Sequence, residues 1–506
     1  MSLAIVYSRA CVGINAPLIT VEVHLSNGLP AFHIVGLPEA SVREARDRVR
    51  SALINANFEF PAKKIIVNLA PADLPKEGGR FDLAIAIGIV AAAGQIPLDA
   101  LTKHEFVGEL ALSGELRAVG GILPFAMACK AHDRALIVPK NNAEEAVLIK
   151  QLDCYPAQHL GEVYHHLVGQ SRLALFEPAP VVQPKRDIEQ PDMQDIVGQV
   201  AAKRALEIAA AGEHHILFTG PPGTGKTMLA NRLPGLLPPL TEQQAIETAA
   251  VASISNKPLS PHNWLERPYR SPHHTSSAVA LVGGGSVPRP GEISLAHHGV
   301  LFLDELTEFD RKVLDVLREP LESGEVCISR AARQATFPAR FQLVAAMNPS
   351  PTGDINDGRT SSDVILRYLN RLSGPFLERI DLQVEVARLP SKQFSEQIQN
   401  QGETTEIIQQ RVMQARQIQM TRAGKTNSNY HGNDLKHHCQ LSSADREFLE
   451  SAVTKLGLSI RSYHRILKVA RTIADLAQLP NIERAHLAEA MSYRALERLI
   501  KTLRNN

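Results

Sequence analysis

Cysteine is scarce and scattered. There are five in 506 residues (Cys11, Cys129, Cys154, Cys327 and Cys439), with no CxxC pair among them. That spacing excludes a disulfide framework and a local zinc finger, and it fits a reducing compartment. Neither sign of charge is in excess, since 54 Lys and Arg stand against 53 Asp and Glu. A generally polybasic protein is therefore excluded, and any contact with nucleic acid must come from local patches. Aromatic residues make up only 5%, so base stacking is a poor source of affinity beside backbone electrostatics, and nucleic-acid binding is expected to be sequence-independent and salt-sensitive. The most apolar stretch, residues 83–94, falls well short of the ~20 residues that cross a bilayer, so no membrane partner is expected. Residues 1–10 lack a basic region followed by an apolar one, so no signal peptide is expected and the cytoplasm is the expected location. What remains is an ordinary globular composition, 44% hydrophobic and 21% charged. At ~150 residues per domain the chain has room for about three domains and several buried cores.

The clearest boundary is 177–191, where prolines 178, 180, 184 and 191 mix with charges. Such a segment forms neither helix nor central strand and reads as a linker. Before it, strand-like runs at 18–25, 65–69 and 135–138 alternate with helical runs at 41–55 and 81–93, which predicts an α/β domain over 1–176. After it, a helical run at 199–211 precedes short apolar strands at 215–219, 299–303 and 341–346, with helices between. That is the pattern of a parallel sheet built from βαβ units, over 192–390. Beyond Pro390 the strands stop, and Leu456, Ile460, Leu467, Ala470 and Ala474 keep helical spacing. Residues 391–506 are therefore expected to be all-α.

Two constellations carry chemistry. Gly220, Pro221, Pro222, Gly223, Thr224, Gly225, Lys226 and Thr227 match GxxxxGK[ST] in full, between a predicted strand and a helical run at 228–233. The glycines let backbone N–H groups curl around phosphate oxygens, and the helix N-terminus adds a positive dipole. Lys226 is positioned to reach the β- and γ-phosphates, and the Thr227 hydroxyl to ligate Mg²⁺. The second constellation is the apolar run 299–303 ending in Asp304 and Glu305. Such a run suits a strand buried on both faces, and its successive side chains point to opposite sides. Asp304 is then free to hold Mg²⁺ and Glu305 to polarise an attacking water. The strand at 341–346 ends at Asn348, an amide able to orient that water, and Arg379 follows a helical stretch as a lone cation.

Together these residues resemble the AAA+ ATPase core of the magnesium-chelatase-like group. Longer stretches, 289–305, 463–476, 32–38 and 76–82, resemble its competence-associated ComM/YifB subgroup over nearly the whole chain. The resemblance implies a P-loop AAA+ core with a C-terminal helical lid, and an N-terminal α/β domain like that of Lon proteases and the bacterial RadA protein. It implies ATP and Mg²⁺ as cofactors, with Lys226 and Thr227 as Walker A and Asp304 and Glu305 as Walker B. By the same resemblance Asn348 is sensor 1, Arg379 an arginine finger serving a neighbouring subunit, and Arg461 sensor 2. The implied assembly is a homohexamer formed or stabilised by ATP and DNA. The implied activity is ATP-driven translocation on single-stranded and branched DNA, promoting branch migration during natural transformation. A different class remains open: an ATPase remodelling a protein or metallocofactor partner, as in magnesium insertion. A nucleotide-binding scaffold with little turnover is a third reading, opposed by the intact Asp304–Glu305 pair. Two departures stand out. Residues 348–353 lack the cysteines many relatives carry, so no zinc is expected. Residues 78–82 and 120–124 lack the Ser and Lys of a protease dyad, so proteolysis is not expected.

Three cationic patches are candidate DNA contacts. Arg43, Arg46, Arg48 and Arg50 share a helical run diluted by Glu44 and Asp47, and read as a solvated face. Arg330, Arg333 and Arg340 lie in an acid-free stretch, where alternation at 325–330 and 335–340 predicts a β-hairpin like those lining the pore in related rings. Arg411, Arg416, Arg422, Lys425 and Lys436 face one acid, Asp434, and read as an uncompensated cationic surface. The loop 282–290 has the flexible-then-stiff composition of a pore loop. The adjacent histidines 214–215, 273–274, 297–298 and 437–438 invite a metal reading. Neighbouring strand residues face opposite ways and no carboxylate or Cys sits at ligand spacing, so none is expected to bind metal. For His273 and His274 the resemblance places the pair near a nucleotide across the subunit boundary.

Overall fold

The computed structural model describes residues 3–36, 40–177, 191–255, 264–285, 287–330, 333–355, 359–388 and 402–505. Alternation between apolar and mixed positions in the first 160 residues produces a seven-stranded mixed sheet. Its spatial order is Ala31–Val35, Lys64–Ala70, Leu18–Ser26, Leu3–Arg9, His104–Phe106, Ala135–Pro139 and Cys154–Ala157. The helix Asp82–Ala92 is apolar almost throughout and is buried against this sheet. Gly88 in that helix lies against Val23, where any Cβ would collide with the valine side chain. The linker read at 177–191 falls almost wholly outside the described residues.

The second sheet has five strands in the order Tyr269–Arg270, Val300–Leu303, Gln342–Met347, Ile216–Thr219 and Leu382–Glu385, all parallel. Its three central strands are buried on both faces, and adjacent residues divide strictly between two cores. Ile216, Phe218, Phe302, Val344 and Ala346 face one, while Leu217, Leu301, Leu303, Leu343, Ala345 and Met347 face the other. The two-residue period of a strand sets that division. The expected hairpin forms as Glu325–Arg330 paired antiparallel with Arg333–Pro338. Val326, Ile328, Ala335 and Phe337 turn inward.

The helices beyond 402 do not form a separate core. Ile408, Val412 and Ala415 of Thr405–Ala423, and Val469, Ala470 and Ile473 of Ile460–Leu476, are buried in the same cluster as the sheet face carrying Phe218. Gln409 donates to the carbonyls of Gly235 and Leu237 at 2.9 and 3.1 Å, tying Thr405–Ala423 to the C-terminal end of helix Lys226–Leu236. The N-terminal unit meets the rest through helix Ile122–Lys130, which packs on Glu242–Ile254. Gly121 N–H donates to Ser253 O at 3.2 Å, and Ala249 and Ala250 join that cluster.

Candidate nucleotide site

The P-loop begins where strand Ile216–Thr219 ends. A side chain at Gly220 would run into the Val386 carbonyl oxygen. Gly223 and Gly225 take φ of +77° and +90°, with no heavy atom within 4 Å of where a Cβ would stand. Both positions favour glycine on backbone grounds. Lys226 is largely buried, and its ammonium donates to Gly220 O at 2.7 Å, Pro221 O at 2.8 Å and Asn348 Oδ1 at 3.1 Å. Burial pushes its pKa down, against the attraction of Asp304. Among the described residues no carboxylate pairs with it, so a partly desolvated cation meets only neutral oxygens. That donor set, with an open glycine cradle at a helix N-terminus, fits a polyphosphate. The Thr227 hydroxyl donates to Asp304 Oδ2 at 2.8 Å, and the other Asp304 oxygen accepts Glu305 N–H at 2.9 Å. Thr227 and Asp304 thus converge as oxygen ligands suited to Mg²⁺.

Glu305 sits at φ +50°, a left-handed conformation that costs a non-glycine residue of order 1 kcal/mol and clusters at functional sites. Its Oε2 lies 2.9 Å from His274 Nδ1. The expectation that His273 and His274 sit near a nucleotide across a subunit boundary therefore needs correction for His274, which meets this chain's own Glu305. His273 stacks beside it with ring centroids 4.1 Å apart. Nothing local in the sequence signals this pair, whose partners are 31 residues apart.

Arg379 and Arg461 lie elsewhere. Arg379 closes the helix Gly374–Leu377 two residues before Asp381, which accepts His215 N–H at the N-terminal end of strand Ile216–Thr219. Lys226 lies beyond the other end of that four-residue strand, which spans about 13 Å. Arg379 is buried, bonded to Pro375 O and to Glu322 Oε1, each at 2.5 Å, and its Nε has no partner. Arg461 stands 3.5 Å from Glu378 and is well exposed. Both arginines line one groove of about 1350 Å³ between the lower edge of the sheet and the C-terminal helices.

Several cations of the three patches are engaged by acids within the fold. Arg416 is buried, donating twice to Ala210 O and pairing with Glu213 at 2.6 Å. Arg422 makes a two-pronged pair with Asp475 at 2.6 and 2.7 Å. Lys425 pairs with Asp434 at 2.7 Å, and Arg411 with Glu207 and Glu403. The reading of this stretch as uncompensated is overturned, because its acids come from segments as much as 204 residues away in sequence. Arg416 and Arg422 are bound up inside the fold, and Lys425 is neutralised. In the first patch Arg48 pairs with buried Asp82 at 2.9 Å and Arg46 with Asp47, while the Arg43 side chain lies outside the described residues. So do the side chains of Arg330 and Arg333 at the hairpin tip. Arg340 is exposed and lines the groove.

His297 and His298 also depart from expectation. His298 takes φ +55°, which turns both rings the same way, their centroids 3.9 Å apart. A carboxylate is present after all: Glu247 Oε2 lies 2.8 Å from His298 Nε2 and 3.5 Å from His297 Nε2. A metal on His297 Nε2 would require the proton on Nδ1, yet Nδ1 accepts Arg340 N–H at 3.1 Å. The tautomer therefore favours a hydrogen-bonded cluster over a metal centre. Burial, then His298, pushes the His297 pKa down to about 3.

The chain matches three family models: magnesium chelatase subunit ChlI over residues 192–394, subunit ChlI of Mg-chelatase over 21–142, and the ChlI C-terminal region over 402–494. It is 57% identical to the competence protein ComM of Haemophilus influenzae, covering 100% of both chains. It is 53% identical to the uncharacterized protein YifB of Escherichia coli, over 99% of this chain and 98% of that one. The uncharacterized protein Rv2897c of Mycobacterium tuberculosis is 40% identical over 98% of this chain and 99% of its own length. The folds, the P-loop and these full-length likenesses agree: the chain belongs to the ComM/YifB subgroup of magnesium-chelatase-like AAA+ ATPases.

Proposed function

We propose that this protein is an Mg-ATP-driven DNA motor that works as a homohexamer and promotes branch migration of recombination intermediates during natural transformation. The single observation that carries the ring is the separation of Arg379 and Arg461 from Lys226. One chain holds the phosphate cradle at one end of its sheet and the two arginines at the other. A neighbour's arginines then complete each site, so hydrolysis requires assembly. In this reading Lys226 holds the β- and γ-phosphates, and Thr227 and Asp304 would hold Mg²⁺, which when bound would supply neutralising positive charge. Glu305 aligns the attacking water with Asn348, and Arg379 offsets charge growing on the γ-phosphate.

The DNA substrate is supported by the name of the Haemophilus relative, a competence protein matched along its full length. A magnesium-chelatase 38 kDa subunit from Cereibacter sphaeroides is 29% identical over only 30% of this chain, which gives the remodelling alternative less support. The N-terminal α/β unit is assigned the Lon/RadA-like role of a DNA-facing scaffold without proteolysis. With Arg416, Arg422 and Lys425 engaged internally, the remaining DNA candidates are the hairpin tip carrying Arg330 and Arg333 and the loop ending at Arg289. The decisive measurement is the ATPase rate with and without single-stranded DNA. Strong stimulation that falls with added salt supports the motor; a rate indifferent to DNA refutes it.

A further inference from the structure

The first turn of the chain makes a contact that no local sequence signal announces. Strand Leu3–Arg9 returns as Leu18–Ser26 through residues 10–17. Val12 and Asn15 close the turn by exchanging backbone hydrogen bonds at 2.9 and 3.1 Å. Its base is fixed by Arg9, which makes a buried two-pronged pair with Glu105 at 2.6 and 2.7 Å and donates across the turn to Ala16 O at 3.0 Å. Its tip reaches the hairpin of the other unit. A Cβ at Gly13 would stand 2.9 Å from Thr336 O and 3.8 Å from Ala335 Cβ, and Ile14 packs on the cluster that holds Ala335 and Phe337. Gly13 has φ +59°, so both its backbone and this close approach call for glycine. The other strand of the hairpin is met in the same manner, since a Cβ at Gly283 would stand 2.9 Å from Ile328 Cδ1. Just before the hairpin, Glu322 of the helix Pro320–Ser323 pairs with Arg379 at 2.5 Å.

We propose that the turn at 10–17 is the abutment of the hairpin Glu325–Pro338, so that the N-terminal unit sets the direction of the hairpin and takes part in the response of ATP turnover to DNA. A buried ion pair adds little net stability over apolar packing, and its best-attested use is to impose one arrangement. Here Arg9 imposes the position of Ala16 and, through it, of the tip. A two-stranded hairpin is marginal by itself, so its direction depends on what covers its inward side. Gly13 and Ile14 cover one strand and Gly283 the other. At its base, Glu322 ties it to the arginine assigned to the neighbour's nucleotide. A load on the hairpin is then shared between the turn and Arg379. With the turn in place, a displacement of the hairpin is delivered to its base; with the turn loosened, the hairpin yields and the base stays where it was.

This inference rests on the DNA-motor reading, and the experiment separates the two. kcat and KM for ATP are measured on the full-length protein with and without a single-stranded oligothymidylate, together with amide hydrogen exchange over Arg333–Pro338. Gly13→Val presses on Thr336 O, whereas Ile14→Ser only removes packing, so one variant serves if the other fails to fold; Ile14→Val keeps the apolar contact. Neither residue belongs to the phosphate cradle, so the DNA-free kcat and KM should match wild type. Stimulation by the oligonucleotide should fall about three- to tenfold in Gly13→Val and Ile14→Ser, with faster exchange over Arg333–Pro338, and Ile14→Val should restore both. Stimulation equal to wild type in the two disruptive variants overturns the inference, even where their melting temperature falls, because the turn is then a structural contact alone. A DNA-free kcat that drops by the same factor as the DNA-bound one overturns it as well. Wild-type turnover indifferent to the oligonucleotide refutes the motor reading instead, while exchange over Arg333–Pro338 in the variants still reports whether the turn holds the hairpin.

Discussion

Replacing Arg379 with alanine tests the proposal that hydrolysis in one chain depends on a residue of another. Its guanidinium reaches Pro375 O and Glu322, and Glu322 is 57% exposed, so water can take over that carboxylate and the fold should survive. Lys226 and its phosphate cradle lie beyond the far end of a strand spanning about 13 Å, so nucleotide affinity should stay nearly unchanged. Hydrolysis should fall by about 10³-fold or more, the range for a lost arginine finger, or roughly 4 kcal/mol of barrier at 1.36 kcal/mol per decade. The loss belongs to kcat because the charge being stabilised develops only in the transition state. The assay is subunit mixing. An Arg379→Ala chain keeps a sound cradle but cannot serve its neighbour, while a Lys226→Ala chain keeps its arginine but has no working cradle. Where the second presents Arg379 to the first, one competent site forms, so a mixture of two inactive proteins should recover ATPase. Mixed rings confirmed by mass with no recovered activity would refute the argument, leaving Arg379 a structural residue of its own subunit.

Lys226→Ala should abolish nucleotide binding, whereas Glu305→Gln should retain ATP binding and slow hydrolysis at least about 100-fold; normal turnover in Glu305→Gln would displace that residue from its role. Arg416→Ala should cost about 2–4 kcal/mol of stability by leaving Glu213 without its cation and stripping two donors from Ala210 O, read as a drop of several degrees in melting temperature. The salt dependence of DNA binding should not change, and a lost phosphate contact instead would return Arg416 to the DNA-facing set. Asp381 is held well below the ordinary carboxylate range: burial opposes its charge, but Arg465 at 2.5 Å and the bond with His214 outweigh it. A depressed folded-state value means its stabilisation is present above the unfolded value of about 3.9 and is lost as pH falls below it. The melting difference between wild type and Asp381→Asn should therefore be constant from pH 7 to about 5 and close only under about pH 4.

The parts of the site that are contiguous in sequence were readable from it. The P-loop, its strand and its helix form one local unit, and the strand at Val300–Leu303 announces itself by five apolar residues before two acids. The strand and helix positions at 18–26, 64–70 and 200–212 likewise follow from local periodicity. What was not readable depends on pairs closed by the tertiary fold. Arg416 meets Glu213 and Arg422 meets Asp475 across 203 and 53 residues, so counting nearby acids misjudged both. His297 and His298 were expected to face apart, but a left-handed φ at His298 turns them together toward Glu247 on a different helix. His274 and Glu305 meet because two parallel strands end side by side, and no spacing rule in one strand reports the other.

The helix that begins with Lys226 is enclosed between the sheet and the helix Thr405–Ala423, with Gln409 pinning its far end. Melting is where this enclosure becomes measurable. A phosphate cradle embedded in a core shared by the sheet and the C-terminal helices cannot lose order alone, so residues 191–505 should unfold in one cooperative transition. Nucleotide raises that transition as a whole, by RT ln(1 + [L]/Kd), with no separate early melting of the C-terminal helices. The seven-stranded sheet, built on its own apolar cluster, responds to the same ligand only as far as its contacts, through Ile122–Lys130 and the turn at 10–17, carry it.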